Sequence, residues 1–244
     1  MKKKPRSSSV YNKSVHTIKK EEIMNVNNDK IKEILLESKI GLINAGGSCY
    51  MASIIQILIH LKQFLDKFLK YEYTNSFSYK FYNFIINISQ SKYPIEINGI
   101  ADEYNRINKK FCGEEGNNPM TFFTEFIKEL SKDDKEILDI FKGGKVFNFE
   151  DVKDYKENFL FHLIVLDEYN NNITELLNNG RILENKDKNS NPSLFEKIIK
   201  PPEILIINLE VEKIKYNGEE FIFLETDSYE LVAVNLYTNY HSIA

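Results

Sequence analysis

The chain has 244 residues, of which 42% are apolar and 28% charged, with a formal net charge of −4. That length fits one large domain or two small ones with a sizeable core, and the mild acidity gives no electrostatic basis for nucleic-acid binding. Cys49 and Cys112 are the only cysteines, too few for a disulfide framework or a Cys-type zinc site, and a reducing intracellular compartment is the simpler expectation.

Residues 1–24 are expected to form a disordered basic tail. Lys2, Lys3, Lys4, Arg6, Lys13, Lys19 and Lys20 crowd its first twenty positions without one acidic residue, and such a segment cannot bury a core. The tail has no apolar stretch after its charges, so it is not a secretory signal. No apolar run elsewhere approaches the ~20 residues of a membrane span. The expected location is intracellular and cytoplasmic, with KKKPR as a basis for a nuclear alternative. Residues 25–244 are expected to fold as one domain.

A short helix is predicted over 29–39, with Ile31, Ile34 and Leu35 on one face. Gly46 and Gly47 permit a tight turn. Ser48 is a suitable N-cap, its hydroxyl able to accept from an early helix N–H. Tyr50, Ile54, Ile57, Leu58, Leu61 and Leu65 then recur at helical spacing, which predicts one helix from Cys49 to about Lys70. A helix over Ser76–Ser89 carries Phe77, Phe81, Phe84, Ile85 and Ile88 as a core stripe. Residues 99–112 look helical and more polar, and Cys112 is taken as a structural thiol. Pro119 opens a helix with Phe122, Phe123, Phe126, Ile127 and Leu130.

After Gly143 and Gly144 the pattern turns to strands, at Lys145–Asn148 and Leu160–Leu166. Ile173–Leu177 is predicted as a short helix. Residues 180–193 read as a polar loop and 194–199 as a turn of helix. The apolar run after Pro201 and Pro202, ending at Leu209, predicts a central strand buried on both faces. Phe221–Leu224 and Tyr229–Leu236 complete the predicted strands.

Cys49 stands at the first turn of a helix that runs into the core. A thiolate is the nucleophilic form, and the positive end of a helix dipole favours an anion there. Asn44, five residues earlier, can offer a side-chain N–H to a developing oxyanion, alongside the backbone N–H of Cys49. One such donor is typically worth ~3–4 kcal/mol of barrier.

The run Gly41-Leu42-x-Asn44-x-Gly46-x-Ser48-Cys49-Tyr50-Met51-x-Ser53-x-x-Gln56 resembles the cysteine box of the ubiquitin-specific protease family, which are papain-like cysteine deubiquitinases. It departs at Gly47 and Ala52, and neither change removes a group that the chemistry needs. PMTFFTEFIKEL is similar to the family's QDAxEFLxxLL helix through Phe122, Glu125, Phe126 and Leu130, but lacks the Gln-Asp pair. The run from Pro201 to Glu210 resembles LPxVLIIHLKRF, with Asn208 and Glu210 in place of His and Lys. Tyr229-x-Leu231-x-Ala233-Val234 resembles YxLxAVxxH. Tyr240-His241-Ser242-Ile243-Ala244 is similar to GHYxAY, whose histidine is the general base. The family's knuckle with two CxxC pairs has no counterpart, so a metal-free version is expected.

A cysteine nucleophile needs a base within hydrogen-bond reach. Of the four histidines, His16 lies in the tail. His60 lies eleven residues beyond Cys49, on the order of 16 Å along a helix. His162 fits a buried position within a strand. His241 is the remaining candidate. The resemblance implies an Asp or Asn on the following strand to orient it, yet only three residues follow His241. Truncation, another residue in that role, or a dyad are the readings left open, and a truncated or degenerate domain is expected.

The resemblance therefore implies an α+β, papain-like fold, with a helical half carrying Cys49 followed by an antiparallel sheet half carrying His241. It implies a thiol hydrolase that cleaves the peptide or isopeptide bond at the C-terminus of ubiquitin, with ubiquitin and ubiquitinated substrates as partners. No cofactor, metal, nucleic acid or membrane is expected, and the protein is expected to be monomeric. The alternatives are a ubiquitin-binding scaffold without a competent triad and a protease for another ubiquitin-like modifier.

Overall fold

The computed structural model describes residues 27–43, 48–70, 73, 76–109, 118–149, 152–166, 172–179, 181–183, 194–211, 221–224, 228–233, 236–238 and 241–243. The basic tail, Asn44, Gly46, Gly47, Cys112, the loop over 184–193, Tyr240 and Ala244 lie outside these residues.

Among the described residues the chain builds helices first and a sheet afterwards. Asn27 caps α1 (Asn28–Glu37) by accepting from the Asp29 and Lys30 N–H groups, which relieves two of the four orphan donors at a helix start. A two-residue strand, β1 (Leu42–Ile43), follows and pairs in parallel with β2 (Ile95–Glu96). Helix α2 (Cys49–Leu58) buries Tyr50, Met51, Ala52, Ser53, Ile54, Ile55 and Leu58. A helix that is apolar on nearly every side belongs in the interior.

The single helix expected from Cys49 to Lys70 is broken into two, α2 and α3 (Lys62–Phe68). The His60 and Leu61 N–H groups bond three residues back, to the Ile57 and Leu58 carbonyls. That tightens the last turn and redirects the chain.

Helices α3, α4 (Ser76–Gln90) and α6 (Pro119–Leu130) surround a core rich in phenylalanine. Phe81 meets Phe126 edge-on at 5.0 Å, Phe77 meets Phe126 at 5.4 Å, and Phe123 meets Phe141 at 5.2 Å. Edge-to-face pairs add to area burial because the ring edge faces the partner's negative face. Asn118 caps α6, with Pro119 at its first position, as the sequence predicts. Helix α5 (Asn98–Ile107) is pinned to α4 through Glu103, whose carboxylate is only 6% exposed and bonds Lys80 and Arg106. The short helix α7 (Lys135–Asp139) closes this half.

The second half holds a four-stranded antiparallel sheet in the order β4-β3-β7-β6. Its strands are β3 (Gly143–Phe149), β4 (Val152–Phe159), β6 (Arg181–Leu183) and β7 (Leu194–Lys200). Two expectations are corrected here. Residues 194–199 are not a turn of helix but β7, an interior strand of the sheet. Burial alternates along it, with Glu196 and Ile198 buried and Lys197 and Ile199 not, the period of two that a strand requires. Residues 181–183 are not loop but edge strand β6. Strand β4 carries a polar sequence that gave no strand signal, which suits its place at a sheet edge.

The predicted strand at Leu160–Leu166 begins at His162, as β5 (His162–Leu166). The run after Pro202 enters a strand only at Ile207, as β8 (Ile207–Val211), and its Ile207, Asn208 and Leu209 are half-buried rather than enclosed on both faces. β5 and β8 pair in parallel, with His162 opposite Ile207. Helix α8 (Ile173–Asn179) packs on β7. Two hairpins follow: β9 (Phe221–Phe223) with β10 (Ser228–Glu230), and β11 (Leu236–Thr238) with β12 (His241–Ile243). The single strand predicted over Tyr229–Leu236 is thus interrupted at 231–233.

Gly143 lets β3 approach the ring of Phe159. A Cβ there would lie 2.6 Å from Phe159 Cε1, so Gly143→Ala is expected to lower stability by ~1–3 kcal/mol, the range for overpacking, in urea denaturation. Arg106 and Lys80 hold the Glu103 carboxyl down at about 2, from an ordinary 4.5. A depressed folded-state value contributes stability above the unfolded value and loses it as pH falls through the folded one. The advantage of wild type over Glu103→Gln is therefore expected in full above pH 4.5 and to vanish towards pH 2. Denaturation midpoints measured across that window test this.

Candidate active site

Cys49 is the first residue of α2 and is half-buried, while the next six residues are buried or nearly so. The sequence placed it there through the apolar run behind it. Ser48 occupies the N-cap position as expected, but its hydroxyl makes no capping hydrogen bond, a correction to the predicted cap. Ser53 instead holds the helix start from inside, its hydroxyl donating to the Cys49 carbonyl at 2.8 Å. Tyr50 is fixed edge-on against Phe122 of α6 at 5.6 Å.

Strand β12 packs against α2. Its first residue is His241, opposite Thr238 of β11. The fold thus brings the strand that begins with His241 to the helix that begins with Cys49, from opposite ends of the chain. Asn44 lies outside the described residues, but β1 ends at Ile43, immediately before it. The Leu42–Ile95 pair and the bond from the Ile95 N–H to the Gly41 carbonyl, 3.3 Å, fix that strand.

The two other described histidines are engaged elsewhere. His60 sits beyond the end of α2, its Nδ1 2.7 Å from the Gln56 carbonyl oxygen and its Nε2 3.0 Å from the Ser38 carbonyl oxygen. His162 is buried at the start of β5, with Nδ1 3.9 Å from Glu196 Oε1. Glu196 also takes Lys145 Nζ at 2.8 Å. Neither histidine lies on an element that begins at Cys49. Among the described residues no cluster of three or more His, Cys, Asp or Glu could hold a metal ion.

Sequence reasoning placed Gln56 in the cysteine box without giving it a task. Its Nε2 donates to the Ile40 carbonyl at 3.2 Å. The available signal was a lone amide inside an otherwise apolar helix, which has to find a partner when buried.

The family model described as ubiquitin carboxyl-terminal hydrolase matches residues 40–239. This chain belongs to that family. The match runs from the strand before the cysteine helix to β11, and His241 stands two residues beyond it. Among solved structures, the chain is similar to one in "Structure of the SAGA Ubp8/Sgf11/Sus1/Sgf73 DUB module bound to ubiquitin aldehyde". The TM-score is 0.52 at 19% identity, covering 70% of this chain and 47% of that one. The likeness shows the fold, and this chain spans about half the length of that relative. No curated protein sequence matches the chain. The expected order, a helical half followed by a mainly antiparallel sheet half, is the one observed.

Phe122 supports the cysteine helix through Tyr50 and is 1% exposed. Phe122→Ala is expected to cost ~3–5 kcal/mol, the usual range for a buried ring. Thermal unfolding of the variant measures it.

Proposed function

We propose that the protein is a cysteine-type deubiquitinase with Cys49 as nucleophile, His241 as general base and Asn44 as an oxyanion donor. The observation that carries this reading is the packing of β12 on α2, within a chain whose family match begins at the cysteine box. The solved relative is described as bound to ubiquitin aldehyde, which supports ubiquitin as the substrate.

In this reading the His241 imidazole takes the Cys49 thiol proton, and the thiolate attacks the carbonyl carbon at the end of the ubiquitin tail. The electron pair of the carbonyl moves to oxygen, where the Asn44 amide and the Cys49 backbone N–H stabilise it. Collapse breaks the C–N bond, and the imidazolium protonates the departing amine. A thioester remains. Water, deprotonated by His241, attacks it and releases ubiquitin with a free carboxylate and the thiol restored. The first turn of α2 aids the thiolate through the helix dipole.

Ubiquitin carrying a C-terminal electrophile tests this directly. Covalent labelling is expected for wild type and is expected to be lost in Cys49→Ala and His241→Ala. Folded wild type that binds ubiquitin reversibly without labelling would leave a ubiquitin-binding module in place of an enzyme.

A further inference from the structure

We propose that Gln56 and His60 are positioning residues that tie the entry strand β1 to the helix carrying Cys49. The inference rests on the deubiquitinase reading for its catalytic consequence, and on described side chains for its geometry. Gln56 Nε2 donates to the Ile40 carbonyl at 3.2 Å. Both ring nitrogens of His60 face carbonyl oxygens, Nδ1 2.7 Å from that of Gln56 and Nε2 3.0 Å from that of Ser38, and the Nε2–H tautomer donates to Ser38. His60 follows the end of α2, and its Nδ1 lies 3.5 Å from Gln56 Nε2, so the two side chains meet at that end. They grip the same short connection, from the C-cap of α1 at Ser38 to the start of β1 at Leu42. From the other side, the Ile95 N–H holds the Gly41 carbonyl at 3.3 Å. Three carbonyls within four residues are therefore engaged by groups from elsewhere in the fold.

The strap has a consequence for the site because of where its two ends lead. Gln56 lies seven residues, about two turns, beyond Cys49 in the same helix. Strand β1 ends at Ile43, and Asn44 is the next residue. One rigid helix thus holds both flanks of the connection from β1 to Cys49. An oxyanion donor contributes only when its distance to the developing charge is right, and a shift of ~1 Å can cost ~100-fold in rate. Gln56 Oε1 is buried with no hydrogen-bond partner among the described residues, and the strap uses the amide N–H of this side chain. Replacing the amide by an apolar side chain of similar length removes the donor and leaves no charge behind.

The test uses the full chain with Gln56→Met and His60→Phe. Three rates are compared: turnover of ubiquitin with a fluorogenic C-terminal amide, alkylation of Cys49 by iodoacetamide, and amide hydrogen exchange. Alkylation is a displacement at carbon that needs the thiolate but no oxyanion donor. In both variants kcat is expected to fall about 10- to 100-fold, with KM within about threefold and alkylation within about twofold. Exchange at Leu42, Ile43 and Ile95 is expected to quicken while Phe81 and Phe126 keep their protection. Unchanged kcat with unchanged exchange at β1 overturns the proposal. So does a parallel fall of kcat, alkylation and core protection, which is general destabilisation. A wild type that leaves the ubiquitin amide intact sinks the deubiquitinase reading and the catalytic half of this proposal, and exchange at β1 still decides whether the strap exists.

Discussion

Burying the helix Cys49–Leu58 takes more apolar surface than one neighbour can supply. Ile54, Ile55 and Ile57 are β-branched and only moderate helix formers, so intrinsic propensity contributes little and tertiary packing must hold the helix. The packing comes from several directions. Phe122 of α6 meets Tyr50 edge-on, β1 lies alongside, and β12 closes a further side. Behind these, Phe64, Phe68, Phe77, Phe81 and Phe126 form a layer in which all five rings are fully buried. Each such ring removes enough apolar area to contribute ~1.5–3 kcal/mol, which offsets the ordering entropy of several neighbouring residues only when the layer is shared.

The sheet half is joined to that core by main chain and is itself tied together by buried charge. The Ile204 N–H donates to the Ile140 carbonyl at 2.8 Å, and Ile204 itself lies in the helical core. The strands β5 and β8 that flank this junction are parallel, which requires a long crossover between them. That crossover contains α8, β6 and β7. Within the sheet, Glu196 accepts Lys145 at 2.8 Å while 6% exposed. A buried ion pair of this kind is weak evidence for stability, because desolvation consumes most of the attraction. Its value here is register: a one-residue slip of β7 would carry Glu196 to the opposite face and leave Lys145 without its carboxylate.

Much of the helical half was legible because its signals are local. The stripe Phe77, Phe81, Phe84, Ile85, Ile88 sets α4, and Asn118-Pro119 sets the start of α6. Elements of the sheet half were legible only where apolar residues are concentrated. Leu194–Lys200 has two lysines, a glutamate and adjacent isoleucines, and nothing local says that Glu196 points inward to Lys145. Its strand character comes from β3 and β6 on either side, which sequence spacing does not reveal. Strand β4 is polar because it is an edge, and Arg181–Leu183 is too short to show a period. The break between α2 and α3 was hidden because Leu61 and Leu65 continue the helical stripe. The turn is set by hydrogen bonds at His60 and Leu61 instead. Cys49 and His241 are candidates from sequence alone, while the packing that brings their elements together is a property of the whole fold.

The start of α2 shows how the core and the chemistry depend on each other. Helices α1 and α6 begin with an asparagine whose side chain accepts two N–H groups of the first turn. A cap of this type is worth ~1 kcal/mol. Ser48 holds the same position before α2 and its hydroxyl does not cap. A helix that depended on its cap could not tolerate this, but α2 is secured by the burial of seven of its ten residues. Burial along its length therefore substitutes for capping at its end. The first-turn N–H groups are then not committed to the Ser48 side chain, at the one helix start in the described chain where a thiolate would benefit from them. Burial from Tyr50 to Leu58 thus anchors the helix while its first residue, Cys49, stays half-buried at its edge.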